Sequence, residues 1–162
     1  MDRHEHMNLA GEHKFTDTGQ AILIPAYIAV WALDSFVLKF STGLSAYVPL
    51  YLRIPAAAIL FTAAVLLGFR SHNIIFGTKH EKPGVMSHDV YRYARHPMYL
   101  GSMLSLLALF ALTLPLASLA VFAVVFVFYN YVSGEEEKLL AGKLGDEYRD
   151  YIKKVPKFGL RF

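Results

Sequence analysis

Four apolar stretches, residues 19–40, 47–69, 97–113 and 116–133, dominate a chain of 162 residues. A helix needs roughly 20 mostly apolar residues to cross the hydrocarbon core of a bilayer. The first two stretches reach that length, and the last two stand at its short end. The chain is 55% hydrophobic, against roughly 45–50% for soluble domains even when glycine is included. Too little polar chain remains to cover these stretches, and there is no room for a separate soluble domain of typical size. The expectation is an all-α integral membrane protein: one domain over residues 1–162, with four transmembrane helices.

The connections set the details. Residues 1–18 are polar and lack the apolar core of a signal peptide. His4 and His6, with Glu12 and His13, could ligate a metal, but solvated histidines are the plainer reading, and no metal site is assigned. Asp17 or Thr18 could cap the first helix. Asp34 lies inside the first stretch, where an acid is a functional candidate by default; the plainer reading places it near the far interface, paired with Lys39 or Arg53. The connection over residues 70–95 carries five basic residues, Arg70, Lys79, Lys82, Arg92 and Arg95, and the positive-inside rule puts it in the cytoplasm. Four spans then put both termini there as well. Net charge +3 reads as membrane anchoring, not nucleic-acid binding. Without cysteine, disulfides, thiolate metal sites and cysteine nucleophiles are excluded.

The third stretch begins Arg95-His96-Pro97. Proline suits the first helical position, and the N–H groups after it are unpaired and carry the positive end of the dipole. Leu114-Pro115-Leu116 reads as a tight turn, so the third and fourth helices form a hairpin that returns the chain to the side it left. The return point is Ser133-Gly134-Glu135-Glu136-Glu137. Carboxylates at a helix C-terminus face an already negative end and need positive charge nearby. Arg95 is one source, and a cationic ligand is another. Beyond, Leu139, Leu140, Leu144, Tyr148, Tyr151 and Ile152 recur at helical spacing among charged residues, which predicts an amphipathic C-terminal helix on the cytoplasmic interface.

Two blocks carry a family resemblance. Tyr91-Arg92-Tyr93-Ala94-Arg95-His96-Pro97-Met98-Tyr99-Leu100-Gly101 resembles the R-H-P-x-Y segment of integral-membrane methyltransferases, the isoprenylcysteine carboxyl methyltransferases and phospholipid N-methyltransferases. The run from Glu136-Glu137 through Leu140, Gly145, Tyr148 and Tyr151 to Val155-Pro156 is similar to their second block. The likeness covers roughly residues 85–156. It departs from the pattern at Leu144, where phenylalanine is usual, and at Asp89, where glycine is usual. Pro83 stands where a histidine often contacts adenosine, with His80 and His88 nearby. Val132 stands where the isoprenylcysteine enzymes often carry a substrate-contacting arginine.

The resemblance implies S-adenosylmethionine as methyl donor, leaving as S-adenosylhomocysteine, held by cytoplasmic segments 85–97 and 134–156. It implies cofactor contacts from Tyr91, Arg95, His96, Pro97, Tyr99, Gly101, Glu136, Glu137 and Leu140, with Arg95 and Glu137 as catalytic candidates. The acceptor would be a lipophilic or lipid molecule with a carboxylate or amine, drawn from the membrane. Two other readings remain: an NADPH-dependent membrane reductase of the sterol-reductase type, which shares R-H-P-x-Y but typically has asparagine where this chain has Met98, and a non-catalytic membrane module of the same fold.

Overall fold

A computed structural model describes residues 16–77, 85 and 87–159. The histidines at positions 4, 6 and 13 lie outside these, as do Lys79, His80, Lys82 and Pro83. The described residues form helices and turns, with no strand among them. Helix α1 spans Thr16–Ala32 and runs on through a π-helical segment, Leu33–Leu38. A 3₁₀ turn at Thr42–Ala46 leads to α2, Leu50–Gly77. A second 3₁₀ turn, Asp89–Arg92, precedes α3, Pro97–Thr113. Then come α4, Leu116–Leu144, and α5, Asp146–Lys154.

Three helical segments are long and apolar enough to cross a membrane: Thr16–Leu38, Leu50–Ile74 and Leu116–Leu144. Helix α3 is apolar but has 17 residues, roughly 25 Å at about 1.5 Å per residue. Exposed Ile22, Phe36, Ile59, Phe61, Phe69, Val124 and Val127 give these helices an apolar exterior, as lipid requires and water disfavours.

Several element boundaries differ from the sequence expectation, each for a local reason. Helix α1 already includes Asp17 and Thr18, which therefore do not cap it. Helix α2 runs past residue 69 because the polar residues after it continue a helix already formed; the buried Ser71 hydroxyl donates back to the Leu67 carbonyl at 2.6 Å. Helix α4 does not stop at Ser133-Gly134. The run Glu135-Glu136-Glu137-Lys138-Leu139-Leu140-Ala141 consists of strong helix formers and carries it to Leu144. The break comes at Gly145, which adopts φ 63° and donates to the Ala141 carbonyl at 3.1 Å, a conformation glycine reaches without penalty. The expected single tail helix is thus two.

Asp34 is buried, but it pairs with neither Lys39 nor Arg53. Its Oδ1 accepts the N–H groups of Phe40 at 2.7 Å and Ser41 at 3.1 Å, and its Oδ2 accepts the Ser41 hydroxyl. Ser41 then caps α4: its Oγ accepts the Ala117 N–H at 2.8 Å and its carbonyl that of Leu116 at 3.2 Å. Arg53 instead donates to the Leu112 carbonyl at 2.9 Å, at the C-terminal end of α3. The acid is a structural clamp that ties the α1–α2 turn to the start of α4.

The core lies among α1, α3 and α4, on Tyr27, Met103, Leu106, Val125 and Tyr129. Tyr27 donates to the Leu106 carbonyl at 2.7 Å, and Trp31 to that of Leu109 at 2.8 Å. Helix α2 packs along α3 at Gly101, where a Cβ would come within 3.1 Å of the Ala64 carbonyl oxygen. The α3–α4 turn is tight: Leu114 takes φ 55° and donates to the Phe110 carbonyl at 2.7 Å.

Candidate functional site

The hairpin of α3 and α4 brings the basic and acidic blocks together. Pro97 is the first residue of α3, with His96 before it as N-cap. The His96 ring faces α4 and lies between two carboxylates: Nδ1 is 3.4 Å from Glu136 Oε2, and Nε2 is 3.0 Å from Glu137 Oε1. Arg95 Nε is 3.4 Å from the same Glu137 oxygen. Tyr99, one turn along α3, stacks on His96 at 5.6 Å and on Tyr129 at 4.9 Å, and donates its hydroxyl to Glu136.

The α4 side follows from helical spacing. Val125, Tyr129, Val132, Ser133 and Glu136 are its buried residues in this half, recurring at steps of three and four on one face. Glu136 continues the core stripe, and Glu137 stands on its flank toward Arg95. Neither glutamate is at a helix C-terminus, since α4 continues to Leu144, so the positive partners answer burial of the carboxylates and not an unfavourable helix end.

Burial opposes protonation of His96, but hydrogen bonds to Glu136 and Glu137, and their charge, outweigh it and raise its pKa above the ordinary imidazole value. Buried carboxylates are tolerable when paired with charged, hydrogen-bonding partners. Arg95 is different. Its side chain is 10% exposed, and although it stands at ion-pair distance from Glu137, its Nε and Nη1 have no hydrogen-bond partner. A buried guanidinium with unused donors carries a desolvation cost that an anion would remove.

A support layer surrounds the cluster. Tyr148, Tyr151 and Val155 pack with Leu140, Leu144 and Val85. Tyr151 donates to the Tyr91 carbonyl at 2.6 Å, pinning the 3₁₀ turn to α5. Burial pushes the Tyr151 hydroxyl up to about 12, with nearby Arg95 lowering it and Glu137 raising it. Tyr91 and Tyr148 are also pushed up, chiefly by burial. After α5 the chain doubles back as a strap. The Arg95 N–H donates to the Pro156 carbonyl at 3.0 Å and the His96 N–H to that of Lys157 at 3.1 Å. Phe158 packs against His96, their ring centres 6.3 Å apart, and the Lys157 ammonium donates to the Asn130 carbonyl at 3.2 Å.

Of the residues singled out from sequence, Arg95, His96, Tyr99, Glu136 and Glu137 therefore make one contiguous cluster. Pro97 is buried at its base. Tyr91 stands in the support layer through its carbonyl, and Leu140 lies in the tyrosine cluster. Gly101 faces α2 and serves close helix packing. Sequence reasoning did not single out Tyr129, and it took Pro156 only as the end of the second family block, without the strap over Arg95 and His96 that it begins; the periodic apolar face of α4 was the signal for Tyr129.

A model of a family described as phospholipid methyltransferase matches residues 52–147. That is more than half of the chain, and it takes in the cluster and the hairpin between its two halves. The chain belongs to the phospholipid methyltransferase family. Searches among curated proteins and among solved structures found no match. Membership makes this a membrane protein of a methyltransferase family, and nothing among the described residues favours the reductase reading over it.

Proposed function

We propose that this methyltransferase uses S-adenosylmethionine to methylate a lipophilic acceptor taken from the membrane, at the cluster formed by Arg95, His96, Tyr99, Glu136 and Glu137. The observation that carries the reading is Arg95: a guanidinium whose Nε and Nη1 are buried without a hydrogen-bond partner, beside the buried Glu136 and the half-buried Glu137. A ligand with a carboxylate at one end and positive charge at the other satisfies both.

Arg95 would hold the donor's carboxylate, and Glu136 and Glu137 its ammonium and sulfonium. When bound, the donor supplies a methyl group on a sulfonium, already activated for displacement. The chain's own task is then positioning, which supplies much of the entropic part of the barrier. Tyr99 fixes the Glu136 carboxylate. The His96 ring, between two carboxylates, orients both. Glu137 is the candidate base for an acceptor that must lose a proton, an amine or a hydroxyl, whereas a carboxylate acceptor needs none. Tyr91, Pro97, Gly101 and Leu140 support this geometry from behind.

The basic residues Arg70, Lys79, Lys82, Arg92 and Arg95 support a cytoplasmic rim in this reading, by the positive-inside rule. In this reading α3 is a fourth, short span. Helix α5, with Tyr148 and Tyr151 buried and Arg149, Asp150, Lys153 and Lys154 exposed, lies along the interface.

Calorimetry of the purified protein in detergent with S-adenosylhomocysteine tests the donor, and transfer of a tritiated methyl group into a membrane lipid extract tests the reaction. Binding and transfer that are lost in Arg95→Ala and Glu136→Gln support the reading. No binding by the wild-type protein ends it.

A further inference from the structure

Lys157 grips two helices at once. Its carbonyl accepts the His96 N–H at 3.1 Å, at the start of α3. Its ammonium donates to the Asn130 carbonyl and to Asn130 Oδ1, both at 3.2 Å, on α4. Whatever fixes the ammonium therefore also steadies the carbonyl that holds His96. Yet the side-chain grip is weak by its chemistry. Both acceptors are neutral, and both distances stand at the long end for an N–H···O bond. No carboxylate among the described residues lies at ion-pair distance from Lys157. An ammonium has three donors, and among the described residues one of them is unused.

The surroundings fit an anion that comes from the bilayer. Gly134, one turn beyond Asn130, has no side chain, and a Cβ there would approach only Lys157 Nζ, at 3.8 Å. This leaves a notch beside the ammonium, floored by the backbone of α4. Asn130 is exposed at its edge and, engaged through its oxygen, keeps its NH2 as a donor. Below the notch the same side of α4 is apolar. Phe126 packs with Phe158, their ring centres 6.1 Å apart, and exposed Val127 and Tyr131 continue the surface. Gly134 stands roughly 27 Å along α4 from Leu116, at about 1.5 Å per residue. That is close to where a hydrocarbon core of about 30 Å ends and lipid phosphates begin. A phosphodiester offers acceptor oxygens and one negative charge, which an ammonium takes in a charge-assisted hydrogen bond.

We infer that Lys157, Asn130 and the bare backbone at Gly134 bind the phosphate of a membrane phospholipid, and that the bound lipid fastens the Pro156–Phe158 strap over Arg95 and His96. The lipid here is a fastener and not the methyl acceptor. The inference needs the membrane but not the methyltransferase reading. What it adds to that reading is a donor cluster whose basic half is held most tightly in a phospholipid bilayer.

Nanodiscs of phosphatidylglycerol, and nanodiscs of a galactosyl diacylglycerol with the same acyl chains, supply the test. The readout is hydrogen exchange at the Arg95 and His96 amides, because these are the N–H groups that the strap's carbonyls accept. Exchange at both should be slower in the phospholipid by about fivefold, the scale of one lysine at an anionic surface, while amides within α4 are unchanged. Lys157→Met, which keeps the length of the side chain without its charge, should abolish the difference, and Lys157→Arg should keep it. Inorganic phosphate added to the galactolipid discs should not reproduce it. Equal exchange in the two lipids overturns the inference. So does a slowing spread equally over α4, a difference that survives Lys157→Met, or one that inorganic phosphate alone restores. The wild-type comparison stands without the variants, so a Lys157→Met protein that fails to fold does not shield the inference. S-adenosylhomocysteine binding on the same wild-type discs reads the donor separately: its absence, with the lipid effect intact, counts against the methyltransferase reading alone.

Discussion

His96 Nε2 lies 3.0 Å from Glu137 Oε1, and this contact joins the start of α3 to a point well inside α4. It also raises the imidazole pKa, against burial. A group whose folded pKa is raised stabilises the fold fully below its unfolded pKa, about 6.5 for histidine, and that contribution disappears as pH rises through the folded value. The melting temperature of the wild-type protein in detergent should therefore fall as pH rises from about 6.5 through the folded pKa. His96→Gln should flatten that part of the profile. A wild-type profile that rises with pH over the same range contradicts the assignment.

Arg95→Ala should weaken S-adenosylhomocysteine binding by about 10- to 100-fold, the loss of charge-assisted hydrogen bonds worth about 1.5–3 kcal/mol. Arg95→Lys keeps the charge but not the forked donors, and should recover only part of the affinity. Titration calorimetry on the three proteins reads both numbers. Equal affinity in all three would remove Arg95 from the donor site.

Tyr99→Phe keeps the ring stacked between His96 and Tyr129 and removes the hydroxyl from Glu136. Melting should shift little, because the stacking survives, while methyl transfer at saturating donor should drop by about tenfold or more, as for a lost positioning contact. A thermal scan beside a transfer assay separates the two effects. Full activity in the variant would show that Glu136 needs no such anchor.

Asp34→Asn should lower stability, since the amide cannot accept from the Phe40 N–H, the Ser41 N–H and the Ser41 hydroxyl equally well. Donor-product affinity should stay within twofold, because the clamp sits at the other end of α1 from the cluster. Ser41→Ala should be destabilising in the same way. Unfolding in denaturing detergent reports the stability. A selective loss of binding, with stability unchanged, would make Asp34 functional instead.

Gly101→Val should open the α2–α3 contact, because even a Cβ there comes within 3.1 Å of the Ala64 carbonyl. A loss of about 1–3 kcal/mol is expected for such overpacking, visible as a lower melting temperature. Donor-product binding lost at full stability would restore Gly101 to the cofactor contacts that the family pattern implies.

The cluster was legible in the sequence because its logic is local. Arg95-His96-Pro97 marks a helix start, and Leu114-Pro115-Leu116 marks the turn that must bring the next helix back beside it. The spacing from Val125 through Tyr129 and Val132 carries on to Glu136, but a helix expected to end at residue 133 hid that inward direction. Ser133-Gly134 misled, because a glycine inside a run of strong helix formers is only a weak breaker. Asp34 misled for another reason: its partners are backbone N–H groups, which no side-chain pattern announces. Pro156 was visible as the end of a family block, but the strap's grip was not, since it holds Arg95 and His96 through the carbonyls of Pro156 and Lys157. Gly101 looked like part of a motif, and only the approach of the Ala64 carbonyl gives it a packing role.

Helix α4 has 29 residues, roughly 43 Å at about 1.5 Å per residue, and so outreaches a hydrocarbon core of about 30 Å. Glu136 stands near where that surplus begins. Under the proposed chemistry, a water-soluble reactant could dock on the overhang and a lipid-dissolved one could stay below it. Neither would have to change phase before they met, and the work of partitioning would be done by the length of one helix.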